Sequence, residues 1–247
     1  MSSTASVSAA PRAISRAEAP RLLGAEYGRF VAALDLLNDA DWSLPTDCTR
    51  WDVRTVTSHV VSWAETATVP GLVRASVRGR IMAMRQREPG LDGMNALLVR
   101  ERAGMSGPAL RERLRRVVAR SVAKRAALFA PMRAFPVGLP EERVSLGYVN
   151  DHIYTRDTWI HRVDICRATG HEMQLTPEHD GRIVADIVAH WARRHGRPFE
   201  LVLEGAAGGA FSAGTGGEPH RLDAVEFCRI VSGRASGSGL LATRVPF

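Results

Sequence analysis

At 247 residues, 45% of them hydrophobic, the chain can bury one large core or two smaller ones. Cys48, Cys166 and Cys228 stand far apart without zinc-finger spacing, which predicts reduced thiols, and the Ser/Ala-rich start holds no apolar segment resembling a signal peptide. No run approaches the roughly eighteen apolar residues of a membrane span, so the expectation is a cytoplasmic protein.

The formal charge of +7 is unevenly spread: residues 70–133 hold 15 basic and 4 acidic side chains, a local +11 that leaves −4 elsewhere. Lys124 is the single lysine among 33 basic residues, a bias that reflects a GC-rich genome. Interleaved aromatics, helix-turn-helix spacing and zinc-finger spacing are all missing, so the basic stretch reads as a solvated face, with nucleic-acid binding as the weaker alternative.

Residues 1–13 read as a disordered tail. Ser15 followed by Glu18 is a capping box, and Leu22, Leu23, Tyr27, Phe30, Val31 and Leu34 carry an amphipathic helix to about Asn38. Pro45 to Arg50 is a tight connection. Asp52 then caps a helix whose stripe is Val53, Val56, Thr57, Val60, Ala64 and Ala67, with His59 on its shoulder beside Val56 and Trp63. Pro70 and the arginines after it predict a less regular stretch, and Pro89-Gly90 a break. A third helix starts near Ser106-Gly107-Pro108, presents Leu110, Leu114, Val117, Val118, Val122 and Ala126 on one face, and ends before Pro131.

From about Ser145 to Gly170, Leu146, Val149, Ile153, Ile160 and Val163 form one helical stripe. Four long helices so connected predict an antiparallel bundle. Thr176-Pro177 opens a fifth helix that Gly196 ends. Beyond it the pattern changes to a strand over Phe199 to Leu203, a glycine-rich hairpin region from Gly205 to Gly217, a short helix from Asp223 to Val231, and an apolar tail from Leu240 to Phe247 that can dock. The run Gly205-Ala206-Ala207-Gly208-Gly209 lacks the spacing and following helix of a phosphate loop, so it reads as turn chemistry. The fold class is therefore mainly α: a helical bundle over 14–196 and a small α/β (α+β) C-terminal domain over 197–247, whose five arginines balance five acids.

Asp157, His161 and Asp164 lie one turn apart on a stripe about 80° around the helix from the apolar one, flanking the buried face. Packed beside the first helix, they would bring the His59 imidazole against a carboxylate and a second imidazole, which makes three metal ligands with an open fourth position. Each residue also has a structural reading. His59 can be a hydrogen-bonded core histidine stacked on Trp63, Asp157 and His161 an ordinary i,i+4 pair worth about 0.2–0.5 kcal/mol, and Asp164 an orienter of His161. Arg156 points into the apolar stripe, either as a buried ion pair or as an anion clamp.

The blocks Asp41-Trp42, Pro45-Thr46, Trp51-Asp52-Val53-Arg54 and His59 resemble the N-terminal pattern of mycothiol-dependent maleylpyruvate isomerase-like proteins, which share the DinB-like metal-binding bundle. Arg156-Asp157, Trp159 to Ile165 and Ala168-Thr169-Gly170 resemble their second metal motif. Ser232-Gly233-Arg234, Gly239-Leu240-Leu241-Ala242 and Val245-Pro246-Phe247 resemble the end of their small C-terminal domain. The resemblance implies a DinB-like antiparallel four-helix bundle followed by that domain. It implies a zinc, or another divalent metal, on His59, Asp157 and His161, with the open position for mycothiol, the low-molecular-weight thiol of actinobacteria. The family's carboxylate ligand is glutamate where this chain has Asp157, whose shorter side chain must approach the metal more closely.

By the same resemblance, Arg234 binds an anionic group of the substrate; Asp164, one turn from His161, is placed by spacing to hydrogen-bond its outer nitrogen. A thiol with a pKa near ~8.5 loses its proton on such a metal. In an isomerase it would add to the activated double bond of a maleyl-type acid, allow rotation and leave; in an S-transferase the adduct would be kept. The partners implied are a small electrophilic substrate and the thiol. Oligomeric state is not legible, and a non-catalytic metal- or ligand-binding protein on the same scaffold is the alternative that Asp157 motivates.

Overall fold

The computed structural model describes residues 9–67, 70, 71, 74, 77, 78, 81, 84 and 90–247. The chain divides into two compact units, a helical one of residues 19–139 and 143–173 and a second of residues 1–18, 140–142 and 174–247. The expected boundary at 196/197 falls inside the second unit.

The helical unit begins with α1 (Ala19–Asp35), which buries Leu22, Leu23, Tyr27, Phe30 and Leu34 along one side. Asp52 caps α2 (Val53–Glu65) by accepting the Thr55 backbone N–H at 2.7 Å, which satisfies a donor the helix cannot use itself. A helix follows that the sequence reading missed, α3 (Gly90–Arg100). Its glycines argue against it locally, but packing overrides propensity: Leu98 enters the core, and Trp63 Nε1 donates to Asn95 Oδ1 at 3.1 Å. The less regular stretch expected after Pro70 is only partly described, and its seven described positions between 70 and 84 are helical.

Ser106 caps α4 (Gly107–Ala126), and Gly107 lies flat against Trp42, where an added Cβ would come within 2.0 Å of the indole. The short α5 (Ala130–Arg133) leads to a hairpin that the sequence did not announce, β1 (Pro136–Gly138) paired antiparallel with β2 (Arg143–Ser145). The final segment runs as α6 (Leu146–Tyr148), a π-helical turn (Val149–Ile153) and α7 (Tyr154–Thr169), closed by Gly170 in the left-handed conformation. The π turn shifts the residues before it relative to those after it, so the single stripe expected from Leu146 to Val163 is broken there. Helices α1 and α2 each pack on both α4 and α7, which makes a ring of long helices around the core. Helix α7 is buried on nearly all sides, so its polar residues must find partners inside the bundle.

In the second unit, residues 9–13 depart from the expected disordered tail: Ala9 bridges to Phe211 in parallel, and the Ile14 N–H donates to Asp186 Oδ1 at 2.7 Å. The capping box forms, with the Ser15 N–H on Glu18 Oε2 at 2.9 Å and the Glu18 N–H on Ser15 Oγ at 3.3 Å. Thr176 does not cap through its side chain as expected. Instead Asp180 reaches back to accept the Thr176 N–H at 2.7 Å across a π-helical turn (Pro177–Gly181), before α8 (Arg182–His195). The sheet has the order β4-β3-β5, with β3 (Phe199–Glu204) antiparallel to β4 (Gly209–Ala213) and parallel to β5 (Glu218–Asp223). Between β4 and β5 the chain crosses the start of β3 so closely that a Cβ on Gly217 would sit 2.3 Å from the Phe199 nitrogen. The glycine-rich region is thus turn chemistry. Asp223 caps α9 (Ala224–Ser232), and Leu240 and Val245 of the tail are buried, the latter donating to the Val231 carbonyl at 3.0 Å.

Among the described residues no helix is long and apolar enough to cross a membrane. Cys48, Cys166 and Cys228 form no disulfide with one another.

Candidate metal centre

The cap at Asp52 sets the phase of α2, and that phase turns His59 inward from the middle of the helix, leaving it 4% exposed. On α7, Asp157 and His161 are one turn apart, and His161 is 3% exposed. Both imidazoles converge on one carboxylate oxygen: His59 Nε2 lies 3.3 Å and His161 Nε2 3.4 Å from Asp157 Oδ1. The Asp157 side chain keeps 18% exposure, so the cluster is reached from the carboxylate side.

Asp164, fully buried one turn further on, has Oδ2 2.8 Å from His161 Nδ1. A carboxylate can only accept here, so Nδ1 carries a proton, and Nε2 is the nitrogen turned toward Asp157. Trp51 covers the two imidazoles, with ring centroids 4.8 Å from His59 and 6.0 Å from His161. Trp63, the partner expected for His59, is further away at 6.4 Å and meets it by its edge.

The electrostatics follow from the crowding. Burial alone would raise the Asp157 carboxyl, but the His59 and His161 imidazoles beside it hold it well below the usual carboxylate range. Burial alone would lower His161, and the Asp157 and Asp164 carboxylates reverse this and hold it above its ordinary value. The cluster is therefore built to hold positive charge.

The donor set was tested against a metal by its spacing. Two ligands about 2.1 Å from a tetrahedral zinc stand ~3.4 Å apart. The two measured Nε2 to Oδ1 separations match that edge, and all three ligand atoms lie within 4.8 Å of one another. Asp157, although a methylene shorter than glutamate, reaches both imidazoles. A second trio, Cys48, His161 and Asp164, is similarly close. There the 2.8 Å between His161 and Asp164 is a hydrogen bond, too short for a metal edge.

Arg156 is completely buried and donates from Nη2 to the Tyr148 hydroxyl at 3.2 Å. Arg234 belongs to the second unit, in the turn after α9, where Gly233 is left-handed and the Arg234 N–H donates to the Arg229 carbonyl at 2.8 Å. Sequence reasoning missed Trp51 as the cover of the cluster: it sits in the loop before α2, and no spacing along the chain links it to His161.

The family model for the mycothiol maleylpyruvate isomerase N-terminal domain matches residues 23–166, more than half of the chain. Two crystal structures of the mycothiol-dependent maleylpyruvate isomerase are similar. One is 16% identical to this chain, and the other, a histidine-to-alanine mutant, is 14% identical. Each match has a TM-score of 0.57 and covers 90% of this chain and 91% of that one. This likeness shows a common fold, a DinB-like helical domain followed by a C-terminal domain. Among curated proteins, none matches this sequence.

Proposed function

The chain belongs to the mycothiol maleylpyruvate isomerase N-terminal domain family, and on that premise we propose that it is a zinc- and mycothiol-dependent isomerase or S-transferase acting on a small, anionic electrophile. The observation that carries this reading is the convergence of His59 Nε2 and His161 Nε2 on Asp157 Oδ1, at 3.3 Å and 3.4 Å, with one ligand atom from each of the three residues within 4.8 Å of the others. These three residues hold the metal. When bound, zinc supplies an open position at which a thiol loses its proton at neutral pH.

The rest is done by the chain itself. Asp164 fixes the tautomer and orientation of His161 through the 2.8 Å hydrogen bond. Trp51 shields both imidazoles from water, which strengthens every charge interaction within. The exposed edge of Asp157 leaves the approach open for thiol and electrophile. Arg234 is proposed as a residue binding the anionic substrate on the strength of the resemblance in its Gly-Arg motif.

The test joins metal analysis to a thiol-dependence assay. The purified protein is expected to carry about one zinc per chain, and His59→Ala and His161→Ala to carry almost none. With mycothiol present, the wild type turns over members of a panel of electrophiles, and both variants lose at least ~100-fold, since a lost ligand costs more than a lost orienting residue. Stoichiometric zinc in both variants overturns the ligand set. Zinc-loaded protein inert toward the whole panel leaves a binding role instead.

A further inference from the structure

Just before the helix that carries two of the three ligands, the backbone changes phase. From Leu146 to Thr169 the chain is helical without a break, but the Tyr154 N–H bonds to the Val149 carbonyl, five residues back rather than four. Such a π turn takes up one residue more than an α-helical turn, and it rotates everything after it by about 100°.

The turn has a local cost. Thr158 gives its hydroxyl to the Tyr154 carbonyl, four residues back, at 2.8 Å, a common arrangement inside helices. Four residues before Thr155 stands Asp151, inside the π turn, and the fully buried Thr155 hydroxyl has no partner among the described residues. A buried polar group left unsatisfied requires compensation elsewhere.

Side chains and backbone from two other helices hold the turn in place. Asp151 is gripped by both arms of Arg133 at the end of α5, with Nη1 donating to Oδ1 at 3.1 Å and Nη2 to Oδ2. A two-pronged, charge-assisted bond of this kind fixes direction as well as distance. Asn150 Nδ2 donates to the Arg125 carbonyl, near the end of α4, at 3.2 Å. Gly147 lies so close to Arg133 that an added Cβ would stand 3.1 Å from the Arg133 carbonyl oxygen. Arg133 therefore meets the chain both before the π turn and within it.

The rotation matters at the metal centre. Counted from Leu146 as an unbroken α-helix, the places that Asp157 and His161 now occupy would fall to Arg156 and Ile160. Neither side chain can ligate a metal. With the π turn in place, Asp157 Oδ1 stands 3.3 Å from His59 Nε2 and 3.4 Å from His161 Nε2.

We propose that the π turn, clamped by the Arg133–Asp151 pair, is the device that turns Asp157 and His161 toward His59, so that Arg133 and Asp151 are positioning residues of the metal centre. This inference rests on the ligand set proposed above and adds to it the part of the fold that aims two of the ligands.

The test compares the full-length wild type with Arg133→Gln and Arg133→Lys. In crystal structures of the EDTA-treated proteins, Arg133→Gln is expected to return the Tyr154 N–H to the Asn150 carbonyl and to withdraw Asp157 from His59. Its zinc affinity by chelator competition is expected to fall about tenfold or more, and its cobalt-loaded form to lose the intense visible bands of a tetrahedral site. Arg133→Lys keeps the charge without the fork and is expected to lie between the two. A pair that serves only stability would lower the unfolding midpoint and leave zinc affinity and cobalt spectrum at wild-type values, which overturns the proposal. So does a metal-free variant that keeps both the π turn and the contact of Asp157 with His59. If the glutamine variant does not fold, the lysine variant decides alone by the same readouts. Failure of the wild type to retain zinc would overturn the ligand set instead, and it would appear separately, because the metal-free structures need no zinc.

Discussion

His161 on α7 and His190 on α8 are both buried histidines against carboxylates, yet their surroundings have opposite signs. Around His161 stand a second imidazole and two carboxylates, Asp157 and Asp164. With both imidazoles neutral, that group carries two negative charges and calls for a cation. Beside His190 stands Glu142, a carboxylate that also faces Arg193 and Arg194, each at 3.6 Å, so two guanidinium groups already match it. A buried histidine beside a carboxylate is therefore not by itself a metal signal; the balance of charge around the pair decides.

The largest expected effect that separates the two clusters is on metal. His161→Ala removes stoichiometric zinc, whereas His190→Ala leaves the zinc content at the wild-type level. Zinc lost from the His190 variant would break the comparison. The next effect sharpens it within the first cluster. Asp164→Asn cannot hold the His161 Nδ1 proton as a carboxylate does, so zinc affinity measured by chelator competition is expected to fall about 10–100-fold with the three ligands still present. An unchanged affinity would reduce Asp164 to a packing residue.

For His190 the expected cost is in folding. Its imidazole is 1% exposed and ties Glu142, in the loop between β1 and β2, to α8. Truncation leaves Glu142 its two arginines but opens a cavity, and about 2–3 kcal/mol of stability is expected to be lost in denaturant unfolding. A loss under ~0.5 kcal/mol would show that the arginines alone hold the loop.

Local rules written in the sequence survive in the fold. Asp52, Ser106 and Asp223 cap the helices they precede, and Gly170 and Gly196 end theirs in the left-handed conformation. What was not legible depends on distant partners. Helix α3 starts on a glycine and contains another, and it is held by Leu98 and Asn95 against α2. Strand β5 contains Pro219 and shows no clean alternation, and it exists as an edge strand because β3 offers it a ladder. The π turn before α7 has no spacing signature at all. The same division runs through the site. Asp157 and His161 are legible as neighbours because one helix carries both, whereas His59 joins them only if two helices distant in sequence pack side by side. Trp51 reaches the cluster only through the packing of the loop before α2.

The smallest expected effect concerns a third carboxylate, Glu65, at the end of α2. Like Glu142 it is surrounded by arginines, accepting from Arg102 Nε at 3.1 Å and also meeting Arg113. Burial alone would raise its carboxyl, but the two guanidinium groups hold it below its ordinary value of 4.5. A carboxylate whose pKa is depressed by folding stabilises the fold above its unfolded pKa, and that contribution disappears as the pH falls through the folded value. Glu65→Gln is therefore expected to be about 1 kcal/mol less stable than the wild type at pH 7, with the gap closing steadily below about pH 4.5. A gap that persists at pH 3 would mean that the side chain acts by packing. If the gap closes, Glu65, like Glu142, is a carboxylate matched by arginines, in contrast to Asp157, which faces two imidazoles.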